Sequence, residues 1–157
     1  GKSTVGRLAA RRLQRTFVDM DAELEVRAGK PVARIFAEDG EPAFRLLERE
    51  LVVELAARQN LVIATGGGVV LDPRNVEDLG RTGFLVCLTA REDELIRRVA
   101  AGRHRPLLEG GDKEEKVRAL LLARRPFYDR LPNFVDTTRL SPYDTALQVI
   151  RLFEKQR

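Results

Sequence analysis

Residues 61–68 read Leu61-Val62-Ile63-Ala64-Thr65-Gly66-Gly67-Gly68, an apolar run that ends in three consecutive glycines. An apolar residue at nearly every position is typical of a parallel strand that is buried on both faces. Three glycines let a ligand approach the backbone closely and leave N–H groups available. The stretch therefore predicts a buried parallel strand followed by a ligand-binding loop, which we favour over a merely flexible turn.

Similar apolar runs recur along the chain and alternate with helical patterns. The runs are Phe17–Asp19, Leu61–Thr65, Phe84–Leu88 and Asn133–Asp136. Between them, apolar residues at helical spacing form the stripes Val5/Leu8/Ala9/Leu13 and Phe44/Leu47/Leu51/Leu55. Helix starts are indicated by Asp72-Pro73, Thr89/Glu92, Asp112/Glu115 and Ser141-Pro142. The alternation predicts an α/β layered fold with a parallel sheet, in one domain that spans residues 1–157.

The composition excludes several classes of protein. The chain has 157 residues, of which 43% are hydrophobic and 33% are charged, so it is neither disordered nor collagen-like. Its one cysteine, Cys87, cannot form an intrachain disulfide, and its place in an apolar run predicts a core residue rather than a nucleophile. No stretch approaches the roughly 18 apolar residues of a membrane-spanning helix, and the first residues do not resemble a signal peptide. We therefore expect a cytoplasmic protein with no membrane partner.

The charge of the chain points to anionic ligands. The net charge is +4, and 23 of the 28 basic residues are arginine, which suits planar oxyanions such as carboxylates and phosphates. A basic protein can also bind nucleic acid, but the chain has no tryptophan, 7 Phe and 2 Tyr, and no recognition motif or stacking platform. We expect no nucleic-acid partner, and we expect most of the arginines to lie on solvated helix surfaces.

The chain begins with Gly1-Lys2-Ser3-Thr4, which matches the end of the phosphate-binding motif G-x-x-x-x-G-K-[ST]. In that motif a helix N-terminus attracts phosphate oxygens, the lysine reaches the β- and γ-phosphates, and the hydroxyl binds Mg²⁺. The four residues alone fit an ordinary capped helix equally well, and the amphipathic helix behind them favours the phosphate site. Because a strand normally precedes such a helix, we expect either that the chain was cut or that the fold is unusual.

Asp19 and Asp21 follow the short apolar run Phe17–Val18. Residues two apart in a strand point to one side, so both carboxylates are expected at the C-terminal end of a strand, where open α/β sheets bind ligands. One carboxylate can help to hold Mg²⁺, and the other can accept a hydroxyl proton. The alternative is that Asp21 only caps a helix that starts at Ala22.

Three segments are candidates for anion binding through arginine. Arg45 and Glu48 are three residues apart on a predicted helix, and they fit either an arginine aimed at a ligand carboxylate or a surface ion pair. Residues 103–108, Arg-His-Arg-Pro-Leu-Leu, precede two glycines and fit either a mobile lid that brings arginine to a transferring phosphate or an ordinary exposed loop. Arg124 near a helix C-terminus binds an anion or merely interacts with the helix dipole.

In this order and spacing the segments resemble the shikimate kinases, small P-loop kinases of the nucleoside-monophosphate-kinase-like group. The matching segments are Gly1–Thr4, Asp19–Asp21, Ile35–Arg45 with Glu48, Gly66–Gly68, Arg105–Leu108 and Arg124–Tyr128. The resemblance covers nearly the whole chain and implies a three-layer P-loop kinase fold with a parallel five-stranded sheet of order 2-3-1-4-5. Because the family's first strand and most of its phosphate loop precede Gly1, we expect an N-terminal truncation that leaves this strand out of the chain.

The resemblance also implies a reaction, transfer of the ATP γ-phosphate to the 3-hydroxyl of shikimate on the route to chorismate. It implies Mg²⁺ as a cofactor, a monomer, substrate-binding helices at about 20–59 and a lid at about 102–113. The implied catalytic residues are Lys2, Asp21 and Arg105. The implied nucleotide-binding residues are Gly1, Lys2, Ser3, Thr4, Arg98, Arg105, Ser141 and Pro142, with Ser3 and Asp19 at the metal. The implied shikimate-binding residues are Asp21, Arg45, Gly66, Gly67, Gly68 and Arg124.

Two other functions stay open. One is a related P-loop kinase that acts on another small acidic metabolite, since two arginines suit any carboxylate. The other is a non-catalytic regulatory domain of the same fold. The intact Lys2, Ser3, Asp19 and Asp21 argue against the regulatory domain, and the absence of most of the phosphate loop argues for it.

Overall fold

The computed structural model describes residues 1–102 and 112–157. Within these residues the helices are α1 (Lys2–Leu13), α2 (Met20–Ala28), α3 (Val32–Asp39), α4 (Glu41–Ala56), α5 (Pro73–Thr82), α6 (Glu92–Ala101), α7 (Lys113–Tyr128) and α8 (Pro142–Lys155). The strands are β1 (Thr16–Asp19), β2 (Leu61–Ala64), β3 (Cys87–Thr89) and β4 (Phe134–Asp136), and a 3₁₀ turn covers Val69–Leu71. Helices separate successive strands, which confirms the α/β class. In the two described ranges no helix has both the length and the apolar character needed to cross a membrane.

The four strands form two parallel pairs, β1 with β2 and β3 with β4. Asp19 lies opposite Ala64 in the first pair, and Thr89 lies opposite Asp136 in the second, so the paired strands end together. No ladder joins the two pairs among the described residues. The parallel arrangement is confirmed, but the predicted burial of β2 on both faces is wrong for residues 61–63, which are partly exposed. Within the described chain, β2 has a strand neighbour on one side only.

Strand β3 is shorter than the apolar run Phe84–Leu88 predicted. The side-chain amide of Asn133 donates a hydrogen bond of 2.9 Å to the carbonyl of Leu85. The N–H of Cys87 then donates to the carbonyl of Asn133 at 2.8 Å. The asparagine side chain takes the place of a strand partner at Leu85, so the ladder begins only at Cys87.

The apolar stripes predicted on α1 and α4 both face the core. On α4, Phe44, Leu51 and Leu55 are buried in a cluster that includes side chains of α2, α3 and α5. On α1, Val5 and Ala9 pack against α8 in a second cluster. The larger cluster fixes α4 against its neighbours, and α4 carries two of the residues predicted for the site.

Three of the four predicted helix starts are confirmed. The side chains of Asp72, Asp112 and Ser141 accept hydrogen bonds from N–H groups in the first turns of α5, α7 and α8. The fourth is wrong, because Thr89 ends β3 and α6 begins at Glu92 without a side-chain cap. The hydroxyl of Thr89 instead donates to a carbonyl of β4, so a strand neighbour replaces the capping interaction.

Candidate functional site

The start of α1 and the end of β1 meet through a side-chain hydrogen bond. The hydroxyl of Ser3 donates to one carboxylate oxygen of Asp19. The other oxygen of Asp19 accepts from the N–H of Asp21 at 3.1 Å and from that of Ala22 at 3.3 Å. The alternative interpretation of Asp21 as a cap is therefore wrong, since Asp19 caps α2 and the helix starts at Met20.

Asp21 lies in the first turn of α2 rather than in a strand, because β1 ends at Asp19. Its side chain keeps access to solvent. Partial desolvation by the surrounding protein still raises the pKa of Asp21, and the neighbouring carboxylate of Asp19 raises it further, while Lys2 lowers it. Asp21 therefore binds a proton more readily than an ordinary aspartate, which suits a general base.

Arg45 and Glu48 form an ion pair on α4, with 2.8 Å between Nη1 and Oε1. Glu48 is only 1% exposed, so the interpretation as a surface ion pair is wrong. Burial raises the pKa of Glu48, and the guanidinium of Arg45 acts in the opposite direction. Oε2 of Glu48 has no hydrogen-bond partner within residues 1–102 and 112–157. An unpartnered buried oxygen is costly, so Glu48 does not lie here for the stability of the fold alone.

Two carboxylates lie against the first glycine of the Gly66–Gly68 loop. A Cβ atom at Gly66 would lie 2.9 Å from a carboxylate oxygen of Asp21. The same point lies 3.0 Å from Oε2 of Glu48. The missing side chain at Gly66 therefore lets residues of α2 and α4 approach one position of the loop.

Two guanidinium groups lie against the other two glycines. A Cβ atom at Gly67 would lie 2.9 Å from Nη1 of Arg124, on α7. A Cβ atom at Gly68 would overlap the guanidinium of Arg45. The fold thus brings Arg45 of α4 and Arg124 of α7, which the resemblance assigned to one site, to adjacent positions of one loop.

The carbonyl groups of the loop are all occupied. The carbonyls of Gly66 and Gly68 accept from backbone N–H groups three residues ahead, at 3.2 and 3.1 Å. The carbonyl of Gly67 accepts from the hydroxyl of Tyr128 at 2.7 Å. Within the described part of the chain, none of the three loop N–H groups donates to a protein acceptor. The three N–H groups of the loop therefore remain available as donors, which suits an oxyanion.

Tyr128 is a site residue that sequence analysis did not select. It is the last residue of α7 and lies one turn after Arg124, on the same helix face. Two signals in the sequence pointed to it: the spacing of four residues from Arg124, which was already a candidate, and its place in the segment Arg124–Tyr128 that carries the resemblance. The partner of its hydroxyl, Gly67, lies 61 positions away and could not be inferred from spacing.

Arg98 contacts a residue that was not predicted, Thr137, which precedes Ser141 and Pro142 in the chain. Arg98 donates to the hydroxyl of Thr137 at 2.8 Å and to its carbonyl at 2.9 Å, and it pairs with Glu94 at 2.6 Å. Ser141 follows four residues later and caps α8, with Pro142 as the first residue of the helix. The structure therefore ties Arg98 to the segment that leads into α8.

The remaining predicted residues of the phosphate site lie around the first turn of α1. Gly1 precedes the helix, and its carbonyl accepts from the N–H of Val5 at 3.0 Å. Lys2 lies close enough to Asp21 to lower the pKa of that carboxyl group. Thr4 lines a shallow pocket of about 190 Å³ on the same helix.

The predicted lid, at about 102–113, lies almost entirely outside the described residues. Gly102 follows the last residue of α6, and Asp112 caps α7. Arg105 falls between them, outside the described ranges, so its role stays a prediction.

A family model and curated relatives both match nearly the whole chain. A family model described as shikimate kinase matches residues 1–154. A shikimate kinase of Pelotomaculum thermopropionicum is 48% identical over 156 residues, covering 99% of this chain and 90% of that protein. One of Symbiobacterium thermophilum is 46% identical over 159 residues, covering 99% and 91%.

Solved structures agree with the sequence matches. The shikimate kinase from Acinetobacter baumannii in complex with shikimate matches with a TM-score of 0.93 and 35% identity. That match covers 100% of this chain and 88% of the other. The similarity in sequence and in fold over nearly all of these residues leads to one conclusion: the chain belongs to the shikimate kinase family.

Proposed function

We propose that this chain transfers the γ-phosphoryl group of ATP to the 3-hydroxyl of shikimate, giving shikimate 3-phosphate and ADP. The observation that carries the proposal is the convergence of two guanidinium groups and two carboxylates on a loop whose N–H groups have no protein acceptor among the described residues. Such a site suits a small acceptor with a carboxylate and hydroxyl groups. Family membership supports shikimate as that acceptor, on the route to chorismate and the aromatic amino acids.

Arg45 and Arg124 bind the carboxylate of shikimate. Their guanidinium groups lie beside adjacent glycines, so both can reach one planar carboxylate. Arginine suits this role because it offers two parallel N–H donors and does not lose its charge. Glu48 holds Arg45 in position, and the N–H groups of the Gly66–Gly68 loop supply further donors.

Asp21 accepts the proton of the 3-hydroxyl. The hydroxyl oxygen forms a bond to the γ-phosphorus while the bond from this phosphorus to the bridging oxygen breaks, and ADP leaves with that electron pair. The raised pKa of Asp21 supports the assignment, because a more basic carboxylate accepts a proton more readily. Lys2 and Arg105 neutralise the charge that builds up on the transferring group. The role of Arg105 rests on the family resemblance alone.

Ser3 and Asp19 would hold Mg²⁺. Their oxygens already lie together, since the hydroxyl of Ser3 contacts the carboxylate of Asp19. The described residues contain no group of three or more His, Cys, Asp and Glu side chains that could hold a metal. Magnesium bound with a nucleotide needs only one or two protein oxygens beside phosphate and water, so this donor set fits it. When bound, the ion neutralises charge on the phosphates.

The nucleotide occupies two further parts of the chain. Gly1–Thr4 form the helix N-terminus that faces its phosphates, where backbone N–H groups favour negative charge. Arg98, Ser141 and Pro142 border the adenine. The contacts of Arg98 with Glu94 and with the segment before Ser141 hold its planar guanidinium in one orientation, which suits stacking on a base.

We further infer that the two strand pairs belong to one five-stranded sheet of order 2-3-1-4-5. The pairs β1–β2 and β3–β4 correspond to 2-3 and 4-5 in that order, and the central strand would precede Gly1. Their parallel pairing supports this arrangement.

The proposal also includes a single domain over 1–157, with a substrate-binding region at about 20–59 that contains α2–α4 and a lid at about 102–113. We expect the protein to be a monomer in the cytoplasm. Light scattering of the purified protein tests the monomer.

The experiment that tests the function is acceptor-dependent ADP release from Mg-ATP by the full-length protein. Shikimate, gluconate and AMP serve as parallel acceptors. Release with shikimate alone supports the proposal. ADP release only with another acid would show that this acid, and not shikimate, is the acceptor. No release with any acceptor, from a folded protein that binds ATP, would favour a non-catalytic role.

A further inference from the structure

The last turn of α7 contacts the glycine loop through two side chains. Arg124 and Tyr128 are one turn apart and lie on the same helix face. Nη1 of Arg124 lies 2.9 Å from the position that a Cβ of Gly67 would take. The hydroxyl of Tyr128 donates to the carbonyl of the same glycine at 2.7 Å. The side chains of Arg124 and Tyr128 therefore both lie against Gly67.

The hydrogen bond of Tyr128 fixes the peptide between Gly67 and Gly68. A trans peptide group is planar, so the direction of the Gly67 carbonyl also sets the opposite direction of the Gly68 N–H. Glycine rotates more freely than any other residue, so a loop of three glycines does not hold this orientation by itself. The carbonyls of Gly66 and Gly68 are held by nearby backbone, whereas that of Gly67 depends on a side chain from another element.

Helix α7, which provides the side chain of Tyr128, lacks one backbone hydrogen bond near its C-terminal end. Pro126 lies inside α7, between Arg124 and Tyr128, and proline has no N–H to donate to the carbonyl four residues earlier. The last turn is therefore less firmly held by the helix itself. The bond from Tyr128 to the loop anchors this turn from outside the helix.

We propose that Tyr128 is a positioning residue for the binding of shikimate. Its hydroxyl fixes the Gly67–Gly68 peptide and keeps the guanidinium of Arg124 beside it, so that backbone and side-chain donors face the same carboxylate. Tyr128 acts through these two partners and is assigned no contact with the substrate. The inference rests on the proposed function, since it concerns the same carboxylate site.

Tyr128→Phe removes only the hydroxyl and is the first test. We expect the KM for shikimate to rise roughly three- to tenfold, the effect of losing one hydrogen bond, with the KM for ATP and the Tm unchanged. Tyr143→Phe is the matched control, because Tyr143 is the other tyrosine of the chain and is 53% exposed at the start of α8. An unchanged KM for shikimate in Tyr128→Phe would overturn the proposal. An equal rise in both KM values would indicate a general structural role and would overturn it as well.

A double-mutant cycle with Arg124→Ala tests the coupling between the two side chains. Shikimate affinity is measured by calorimetry in the wild type, both single variants and the double variant. We expect Tyr128→Phe to weaken binding by less than about twofold when Arg124 is absent, because coupled residues are not additive. If the effects of the two substitutions on shikimate affinity are additive, the two side chains are not coupled, and this part of the proposal is overturned. If the wild type itself does not bind shikimate, the proposed function fails; the inference on Tyr128 fails when the wild type binds and the variant matches it.

Discussion

Glu48 and Arg45 form an ion pair of 2.8 Å in which the glutamate side chain is 2% exposed and the arginine side chain is 24% exposed. The buried oxygen Oε2 of Glu48 faces Gly66, and the guanidinium of Arg45 lies against Gly68. Burying a carboxylate costs free energy that a single partner only partly offsets. We therefore attribute the pair to the orientation of Arg45 in the site rather than to the stability of α4.

Glu48→Gln keeps the shape of the side chain and removes its charge. We expect shikimate binding to weaken by about 1–2 kcal/mol, because Arg45 loses part of a charged hydrogen bond at a partly solvated position. Glu41→Gln is the matched control. Glu41 also pairs with Arg45, at 3.2 Å, but its side chain is 50% exposed, and we expect an effect below about 0.5 kcal/mol. Calorimetric titration measures both, and equal effects would contradict the positioning role of Glu48.

Arg124→Ala should weaken shikimate binding by roughly 1.5–3 kcal/mol, the scale of a charged hydrogen bond. The reason is the place of its Nη1 beside Gly67, where a loop N–H donor also lies. Arg125→Ala is the control, since the side chain of Arg125 is 76% exposed and its contact with Asp129 is long, at 3.6 Å. Calorimetry with shikimate compares the two variants. An unchanged affinity in Arg124→Ala would remove this arginine from the carboxylate site.

Asp21→Asn should lower kcat by roughly 10²–10⁴-fold, the usual contribution of a general base, and leave ATP affinity nearly unchanged. Asparagine keeps the shape of aspartate but accepts no proton. Glu23→Gln on the same helix is the control, because Glu23 forms only an exposed ion pair with Arg27. The measurements are steady-state turnover and nucleotide binding. A kcat close to that of the wild type would exclude Asp21 as the base.

The activity should also depend on pH through Asp21. This carboxyl must be deprotonated to accept the hydroxyl proton, so activity is lost as pH falls through its pKa. Desolvation and Asp19 raise that pKa, so the loss is expected at a higher pH than for an ordinary aspartate. Glu25 also raises it, and Glu25→Gln should move the acid limb to lower pH. The pH dependence of kcat/KM for shikimate at saturating Mg-ATP measures this shift. If the acid limb of Glu25→Gln moves to higher pH or stays in place, the assignment of the limb to Asp21 is refuted.

Local spacing in the sequence was sufficient to predict the relationships that lie within one helix. The pairing of Arg45 with Glu48 follows from a separation of three residues on a helix. The depth of Glu48 in the structure did not follow, because spacing gives the face of a helix and not what covers it. The loop at Gly66, which covers this carboxylate, comes from a distant part of the chain.

Two contacts between distant segments did not follow from the sequence. The hydroxyl of Tyr128 meets a carbonyl 61 residues away, and the amide of Asn133 meets the carbonyl of Leu85 48 residues away. Hydropathy records which side chains avoid water, but it does not record which backbone group a polar side chain will meet. The first contact holds the glycine loop, and the second sets the start of β3, so a site residue and a strand boundary were missed for the same reason.

The crowding around Gly66–Gly68 also limits how such a site can evolve. At each glycine a Cβ atom would lie within 3.0 Å of a charged group of α2, α4 or α7, so a substitution within the loop would force that charged group to move. The directions of the loop N–H groups also depend on these helices, because Tyr128 of α7 holds the carbonyl of Gly67. Loop and helices must therefore change together before the site can take a different ligand.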